Sequence, residues 1–206
     1  MACRGSLPYV EEPCCMKCGK PLKIEEQEYC RDCSRIPRAY EQGRSVWIHR
    51  GNVAQAIYQF KFHNKRYYAP IFAGEMAKKC GEWICRCGIE TIIPVPLHPA
   101  RRRKRGFNQA ELLARELGRQ MQIPVCTNAV LRIRNTKPQK KLGSRERQDN
   151  LKDAFAVSGQ WNISQTVLLI DDIYTTGSTI HRIAKLLKKA GVQKVFFLTI
   201  SIGQDK

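Results

Sequence analysis

The chain has 206 residues, 43% of them hydrophobic and 26% charged, which is typical of a globular protein with one medium-sized domain and a small appendage. It contains no apolar run of about eighteen residues and no signal-peptide segment, so secretion and membrane spanning are disfavoured and a cytoplasmic location is expected. The formal charge of +18 implies an anionic partner and leaves nucleic acid, phosphorylated metabolites and an anionic membrane face open.

The first predicted element is a small metal site built from two cysteine pairs. Cys15 and Cys18 are separated by two residues, as are Cys30 and Cys33, and Gly19 follows the first pair as in tight turns around metal-bound sulfur. Four thiolates with this spacing are typical of tetrahedral zinc, and so short a segment has few apolar residues with which to fold without a metal. We therefore predict structural zinc. Four reduced cysteines in a small loop domain are the alternative.

Six of the ten cysteines lie outside this pattern. Cys14 could compete as a ligand, but only Cys15 gives the two-residue spacing, and Cys3 has no partner at ligand spacing. Three more have a spacing that suits zinc poorly and are predicted to be reduced structural thiols: Cys80, Cys85 and Cys87. No role is predicted for Cys126.

Two helices are predicted next. Apolar residues recur at helical spacing after Asn52 and again around Phe72, which indicates two helices packed on a sheet. Between them, Lys61 lies between Phe60 and Phe62. We interpret Lys61 as a surface charge at a helix end, because a lysine is seldom buried.

A short apolar strand, Thr91–Val95, leads through a proline-rich turn into the basic run Arg101–Arg105. Asn108 and Glu111 have the spacing of a capping box and predict the start of another helix. Residues 98–147 hold fourteen Lys or Arg against three Glu, a net charge of +11. A solvated basic face is the usual interpretation of such a run, but this one borders the carboxyl end of a strand, where α/β sheets bind ligands.

A polar stretch without much apolar content follows, and it is predicted to be a functional lid rather than a linker because it lies inside a compact domain. Its candidate residues are Thr136, Gln139, Leu142, Arg145, Arg147 and Asn150.

The pattern that best indicates function begins with the apolar run Val167–Ile170, which predicts a strand buried on both faces and ending at Asp171 and Asp172. The glycine-containing turn Thr175–Thr179 then precedes a helix, and Lys194–Ile200 predicts a further buried strand. Free backbone N–H groups, hydroxyls and the helix dipole suit a phosphate monoester, while two carboxylates can accept hydrogen bonds from vicinal hydroxyls. The predicted ligand shape is ribose 5-phosphate. The alternative is a buried strand followed by an ordinary capped turn.

These thirteen residues from Val167 resemble the phosphoribosyl pyrophosphate (PRPP) motif of type I phosphoribosyltransferases. Together with the cysteine pairs, Pro94–His98 and Arg105–Gln109, they make nearly the whole chain resemble the ComF family of competence proteins. The resemblance implies an α/β fold of the type I phosphoribosyltransferase kind, with a mainly parallel sheet flanked by helices in residues 41–206 and a small zinc ribbon in residues 1–40. Many relatives carry a double ribbon. Here one complete ribbon is visible, with Cys3 as a remnant of another.

The resemblance also assigns roles by position. Asp171 and Asp172 would bind the ribose hydroxyls, Arg132–Asn150 would form the closing loop, and Arg105 and Arg147 would be cationic catalytic groups. The remaining substrate-binding positions divide between the pyrophosphate loop and the 5′-phosphate loop: Val95, Pro96, Leu97 and His98 for the former, and Thr175, Thr176, Gly177, Ser178 and Thr179 for the latter.

The implied ligands are PRPP with magnesium, structural zinc, single-stranded DNA and protein partners of the competence machinery, with the chain in the cytoplasm or at the inner face of the membrane. If the basic run Arg101–Arg105 contacts single-stranded DNA, Phe107 is the first aromatic residue expected to stack on its bases. The implied reaction is displacement of pyrophosphate from C1 of PRPP by an acceptor that the sequence does not identify. A non-catalytic PRPP- or nucleotide-binding, DNA-binding scaffold and a nucleobase salvage enzyme are the alternatives. The zinc ribbon and the charge of +18 argue against the salvage enzyme.

Overall fold

The computed structural model describes residues 7–134 and 154–204. Its elements, in chain order, are α1 (Arg31–Arg35), β1 (Gly43–Ile48), α2 (Gly51–Phe62), α3 (Tyr68–Arg86), β2 (Thr91–Pro94), α4 (Pro99–Arg105), α5 (Gln109–Met121), β3 (Val130–Arg132), β4 (Phe155–Val157), β5 (Thr166–Tyr174), α6 (Ser178–Lys189) and β6 (Lys194–Ile202). Four strands form a parallel sheet in the order β1–β6–β5–β2, and β3 pairs with β4 in an antiparallel ribbon.

Strand β5 lies inside the sheet and is buried on both faces, as its apolar run predicts. Each of the four side chains from Val167 to Ile170 is fully buried, and burial of such a side chain contributes about 1.5–3 kcal/mol. The strand does not end at the acidic pair, as we expected from the sequence, but continues to Tyr174. It does so because β6 pairs with it as far as Tyr174, whereas β2 pairs with it only as far as Ile170. The acidic pair therefore lies where β5 still pairs with β6 but no longer pairs with β2.

Two apolar layers cover the sheet. Leu168 and Ile170 face the layer that contains α2, α3 and α5, whose predicted helices are confirmed. Val167 and Leu169 face α6 and the cysteine-rich segment, so the N-terminal unit packs on the α6 side of the sheet. Within the residues that the structure describes, no helix has the length and apolarity needed to cross a membrane.

The parallel connection β5–α6–β6 is confirmed. Because β2 also pairs with β5 in parallel, the segments that follow β2 and β5 lie at the same edge of the sheet. In open α/β sheets this edge, at the carboxyl ends of the strands, is where ligands bind. The pairing of β2 with β5 thus brings together two segments that lie 76 residues apart in the chain, those beginning at Val95 and Asp171.

Candidate functional site

A cavity of about 340 Å³ opens at this edge of the sheet. It brings together the predicted residues from three parts of the chain: Val95, Pro96 and Leu97 after β2, Arg105 in α4, and Asp171, Asp172, Thr175, Gly177, Ser178 and Thr179 around the end of β5. Two predicted residues do not line it. His98 instead caps α4, where its Nδ1 accepts a hydrogen bond from the Ala100 N–H at 3.2 Å, and Thr176 bonds to the Ser178 hydroxyl at 2.9 Å. Arg147 lies outside the described residues, as do Thr136, Gln139 and Asn150.

The two carboxylates of the acidic pair line this cavity, and the pKa of Asp171 is perturbed. Burial, and then the charge of Asp172, raise the pKa of Asp171 to about 7, while Lys61 and Arg132 act in the opposite direction. Asp171 also accepts a hydrogen bond from the Asp172 N–H at 2.8 Å. Two adjacent carboxylates in a confined cavity resist simultaneous ionisation, so this acidic pair can exchange a proton near neutral pH.

Lys61 lines the cavity, so its interpretation as a surface charge is wrong. Its Nζ lies 2.8 Å from Oδ2 of Asp172, and both side chains are only about one-seventh exposed. Lys61 is in the last turn of α2, which ends beside the cavity, so the lysine projects into the site rather than into solvent. The one sequence feature that could have indicated this position is that Lys61 lies between two aromatic residues, Phe60 and Phe62.

The loop before α6 has the geometry of an anion site. Gly177, at φ 70°, is the N-cap of α6, and a Cβ at this position would lie 2.3 Å from Oη of Tyr174. Only glycine therefore fits here. The first N–H groups of a helix have no acceptor within the helix, and α6 begins at this loop, whose Thr175 and Ser178 also line the cavity.

Three arginines also line the cavity: Arg101, Arg105 and Arg132. Burial lowers the pKa of Arg105, an effect that Asp172 opposes, and burial lowers the pKa of Arg132 to about 10. The Arg105 guanidinium donates to Oε1 of Gln109 at 2.6 Å and stacks 5.0 Å from the Phe62 ring centroid. Its position is therefore fixed from two sides.

A second cavity of about 670 Å³ adjoins the first and shares four side chains with it: Lys61, Phe62, Arg101 and Arg105. Its other lining residues are Asn64, Arg66, Arg103, Lys104 and Gly106. Six of these nine are cationic and, among the described residues that line it, none is acidic. Such a surface suits a phosphate-rich ligand.

Phe107, the aromatic residue expected to stack on bases at this basic surface, is buried instead. Phe107 is only 5% exposed and packs against Phe60, so it cannot stack on a base. Three other rings are about half-exposed: Phe62, which lines the second cavity, Tyr58, one turn earlier in α2, and Tyr67, just before α3. The sequence did not distinguish these cases because the burial of Phe107 depends on how α2 packs over it.

The predicted zinc ligands form one cluster. The sulfur atoms of Cys15, Cys18, Cys30 and Cys33 all lie within 4.8 Å of one another, and the cluster is largely buried. The turn after the first pair is confirmed by Gly19, at φ 70°, whose N–H donates to the Cys15 carbonyl at 2.8 Å. Four thiolate donors at this spacing fit tetrahedral zinc.

The described cysteines outside the cluster behave differently. Cys14 lies apart from the four ligands, its sulfur accepting from Arg44 at 2.9 Å, and burial raises its pKa to about 12. Cys80 is a buried free thiol in α3, as predicted, whereas Cys85 is exposed and so has no packing role. Cys3 lies outside the described residues.

Comparison with known protein families agrees with this architecture. A family model described as a phosphoribosyl transferase domain matches residues 103–201, and one described as a double zinc ribbon domain matches residues 1–34. The four-cysteine cluster falls within the second match, which supports a structural zinc site. The fold is therefore a phosphoribosyltransferase domain with a mainly parallel sheet and flanking helices, preceded by a zinc ribbon.

The relatives cover nearly the whole chain. Competence protein F of Haemophilus influenzae is 34% identical over 202 residues, which are 94% of this chain and 86% of that protein. Competence protein ComFC of Bacillus subtilis is 28% identical over 92% of this chain and 78% of its own length, and the DNA utilization protein YhgH of Escherichia coli K12 is 30% identical over 88% and 80%. On this similarity the chain belongs to the ComF family of competence proteins.

Proposed function

We propose that the chain binds PRPP with magnesium in the 340 Å³ cavity and transfers its phosphoribosyl group to an acceptor. The observation that supports this most is that the acidic pair and the anion loop line one cavity, because PRPP carries both vicinal hydroxyls and a 5′-phosphate. Asp171 and Asp172 would accept hydrogen bonds from the ribose hydroxyls. The loop Thr175–Thr179 would hold the 5′-phosphate through backbone N–H groups and hydroxyls.

The pyrophosphate would lie along Val95–Leu97, with Arg101 and Arg105 facing it across the cavity. In the proposed reaction a nitrogen of the acceptor forms a bond to C1 while the bond from C1 to the pyrophosphate oxygen breaks. Negative charge develops on the leaving group, so cations are what the chemistry requires, and magnesium would supply part of that charge. We propose Arg105 as the side chain that stabilises the leaving group, with Arg147 as a further candidate.

The acidic pair favours a chain that binds a ligand over one that keeps the transferase fold only as a scaffold. Two carboxylates beside an anion loop cost stability, since their mutual repulsion and burial raise the pKa of Asp171 to about 7. Such an arrangement is typical of a functional site rather than of a structural one. A PRPP or nucleotide sensor without turnover shares this argument, and measurement of pyrophosphate release separates the two.

The experiment is calorimetric titration of the chain with PRPP and magnesium. The Asp171→Asn, Asp172→Asn double variant should weaken binding by about 1.5–3 kcal/mol for each charged acceptor that is lost. Glu116→Gln, a carboxylate-to-amide change on the outer face of α5, is the matched control and should bind normally. Unchanged PRPP affinity in the double variant would refute the site. Pyrophosphate release with a panel of bases and with single-stranded DNA then tests turnover.

We propose a second function, the handling of single-stranded DNA, on the evidence of the second cavity. Six cations and the half-exposed ring of Phe62 line it, and the half-exposed Tyr58 ring lies 5.0 Å from that of Phe62. Cations with exposed rings are the combination that binds the backbone and stacks the bases of single strands. The relatives named as competence and DNA utilization proteins agree with this proposal. Anisotropy with a labelled oligonucleotide should show affinity that falls with salt, with a slope of roughly 0.7 per phosphate contacted. Salt-insensitive binding would remove nucleic acid from the proposal.

We further propose a boundary between ribbon and transferase domain at residue 40, protein partners in the competence machinery, and action in the cytoplasm with the basic surface able to face the membrane. Cross-linking in cells that take up DNA would test the partners. Fractionation of the same cells would test the location.

A further inference from the structure

The segment that follows the ribbon lies directly against the anion loop. The Ala39 N–H donates to Nδ1 of His181 at 3.1 Å, and the hydroxyls of Tyr40 and Tyr174 share a hydrogen bond of 2.7 Å. Both tyrosines are almost completely buried. Tyr40 comes seven residues after Cys33, so this contact joins the zinc ribbon to the start of α6 through a short piece of chain.

Tyr174 determines where the loop backbone can lie. Its ring is stacked on Phe197 with centroids 4.7 Å apart and planes 4° from parallel, and its hydroxyl lies under Gly177 where a Cβ would approach to 2.3 Å. The Tyr174 ring cannot rotate without losing this stack. The hydrogen bond with Tyr40 in addition fixes the orientation of the Tyr174 hydroxyl. The Tyr40 ring meets the same Phe197 edge-on at 4.9 Å.

His181 supplies the other half of the contact. Its own N–H donates to the Gly177 carbonyl at 2.8 Å, as part of the first turn of α6. Its ring accepts from Ala39, which requires an unprotonated Nδ1, and burial together with Arg38 lowers the pKa of this histidine. The segment 38–40 is thus bonded to both sides of Gly177, through Tyr174 before it and His181 after it.

We infer that Tyr40 and His181 are positioning residues that hold the anion loop in its phosphate-binding shape, so that the post-ribbon segment determines affinity for a phosphate monoester. The inference rests on the proposed function, because it takes Thr175–Thr179 as the site of the 5′-phosphate. These two hydrogen bonds meet the last residue of β5 and the first turn of α6, which lie on either side of the loop's Gly177. Val95, which begins the other phosphate segment, is held elsewhere: its N–H donates to the Ile170 carbonyl at 2.8 Å, and Asn108, the N-cap of α5, donates to its carbonyl at 3.0 Å.

The inference therefore predicts a selective effect. Tyr40→Phe removes one hydroxyl and keeps the ring against Phe197, so the fold should persist. Affinity for ribose 5-phosphate should fall by roughly three- to tenfold, the loss expected for one hydrogen bond. Affinity for magnesium pyrophosphate should not change. His181→Ala should behave like Tyr40→Phe, whereas His181→Gln, which keeps an acceptor, should retain most of the affinity for ribose 5-phosphate.

The experiment is calorimetry of the full zinc-loaded chain with each ligand separately, with zinc content and melting temperature recorded for every variant. Tyr29→Phe, the same chemical change at an exposed ribbon tyrosine, is the control and should match the wild type. Normal ribose 5-phosphate binding by Tyr40→Phe, or equal losses for both ligands, would overturn the inference. A wild-type chain that does not bind ribose 5-phosphate would overturn the proposed function and the inference with it.

Discussion

The ion pair between Lys61 and Asp172 offers the sharpest test of the site as described. We consider Lys61→Met, which removes the charge and keeps most of the stem, and Asp172→Asn, which removes the charge and keeps the shape. At 2.8 Å and an effective dielectric constant of about 20, the gross attraction is about 6 kcal/mol. Most of this is offset by desolvation, and a hydrogen bond between charged groups contributes a net 1.5–3 kcal/mol or so.

Lys61→Met should therefore reduce the free energy of unfolding by about 2 kcal/mol, equivalent to about 4–8 °C in melting temperature for a chain of this length. Asp172→Asn should cost less, because it also relieves the repulsion that raises the pKa of Asp171. The two changes together should cost less than their sum, since the double variant has no pair left to break.

Urea unfolding of the four proteins in this cycle measures the coupling energy directly, and we expect about 1.5–3 kcal/mol. The coupling should survive an increase in salt, because the pair is sheltered from solvent. Lys78→Met, at an exposed position of α3, is the control and should change stability by less than about 0.5 kcal/mol. A coupling energy below roughly 0.5 kcal/mol, the value typical of surface pairs, would show that Lys61 is the solvated charge that the sequence suggested.

Four further predictions follow from the site and the ribbon. Because the pKa of Asp171 is raised to about 7, its ionised fraction rises with pH, and PRPP affinity measured by calorimetry should increase about tenfold from pH 6 to pH 8; a flat profile would contradict this. Gly177→Ala should abolish ribose 5-phosphate binding, because the left-handed backbone and the close phenol exclude a Cβ, and a variant with normal binding would show that the loop is not in this conformation. Metal analysis should find one zinc per chain, lost in the Cys30→Ser, Cys33→Ser variant together with folding of the ribbon; retained zinc would mean a different ligand set. Phe62→Ala should weaken single-strand binding by ~1–3 kcal/mol in anisotropy, with Tyr29→Ala as the control, and equal losses in both would exclude stacking at Phe62.

The sequence predicted what depends on local pattern. The run Val167–Ile170 specifies a strand buried on both faces because every side chain in it is apolar, and the following glycine and hydroxyls specify a turn into a helix. The cysteine spacing likewise indicated a cluster whose members the chain holds together locally. These features need no knowledge of distant parts of the chain.

What the sequence could not supply depends on which elements meet. Lys61 is on the cavity side only because α2 ends there, and Phe107 is buried only because Phe60 lies over it. The extension of β5 past the acidic pair depends on the length of β6, and His98 turns away because α4 begins directly after it. The division of the chain at residue 40 stays a prediction, and the segment around Tyr40 belongs structurally to both units.

The sharing of Lys61, Phe62, Arg101 and Arg105 by the two cavities has a thermodynamic consequence. Two ligands that use the same side chains cannot bind independently, so occupancy of one cavity must change the dissociation constant of the other by some factor. By linkage, that factor is the same whichever ligand is added first. If the chain binds both proposed ligands, titration of oligonucleotide at several fixed PRPP concentrations and the reverse titration should therefore give the same factor. The sign of the shift would tell whether PRPP promotes or opposes the binding of DNA.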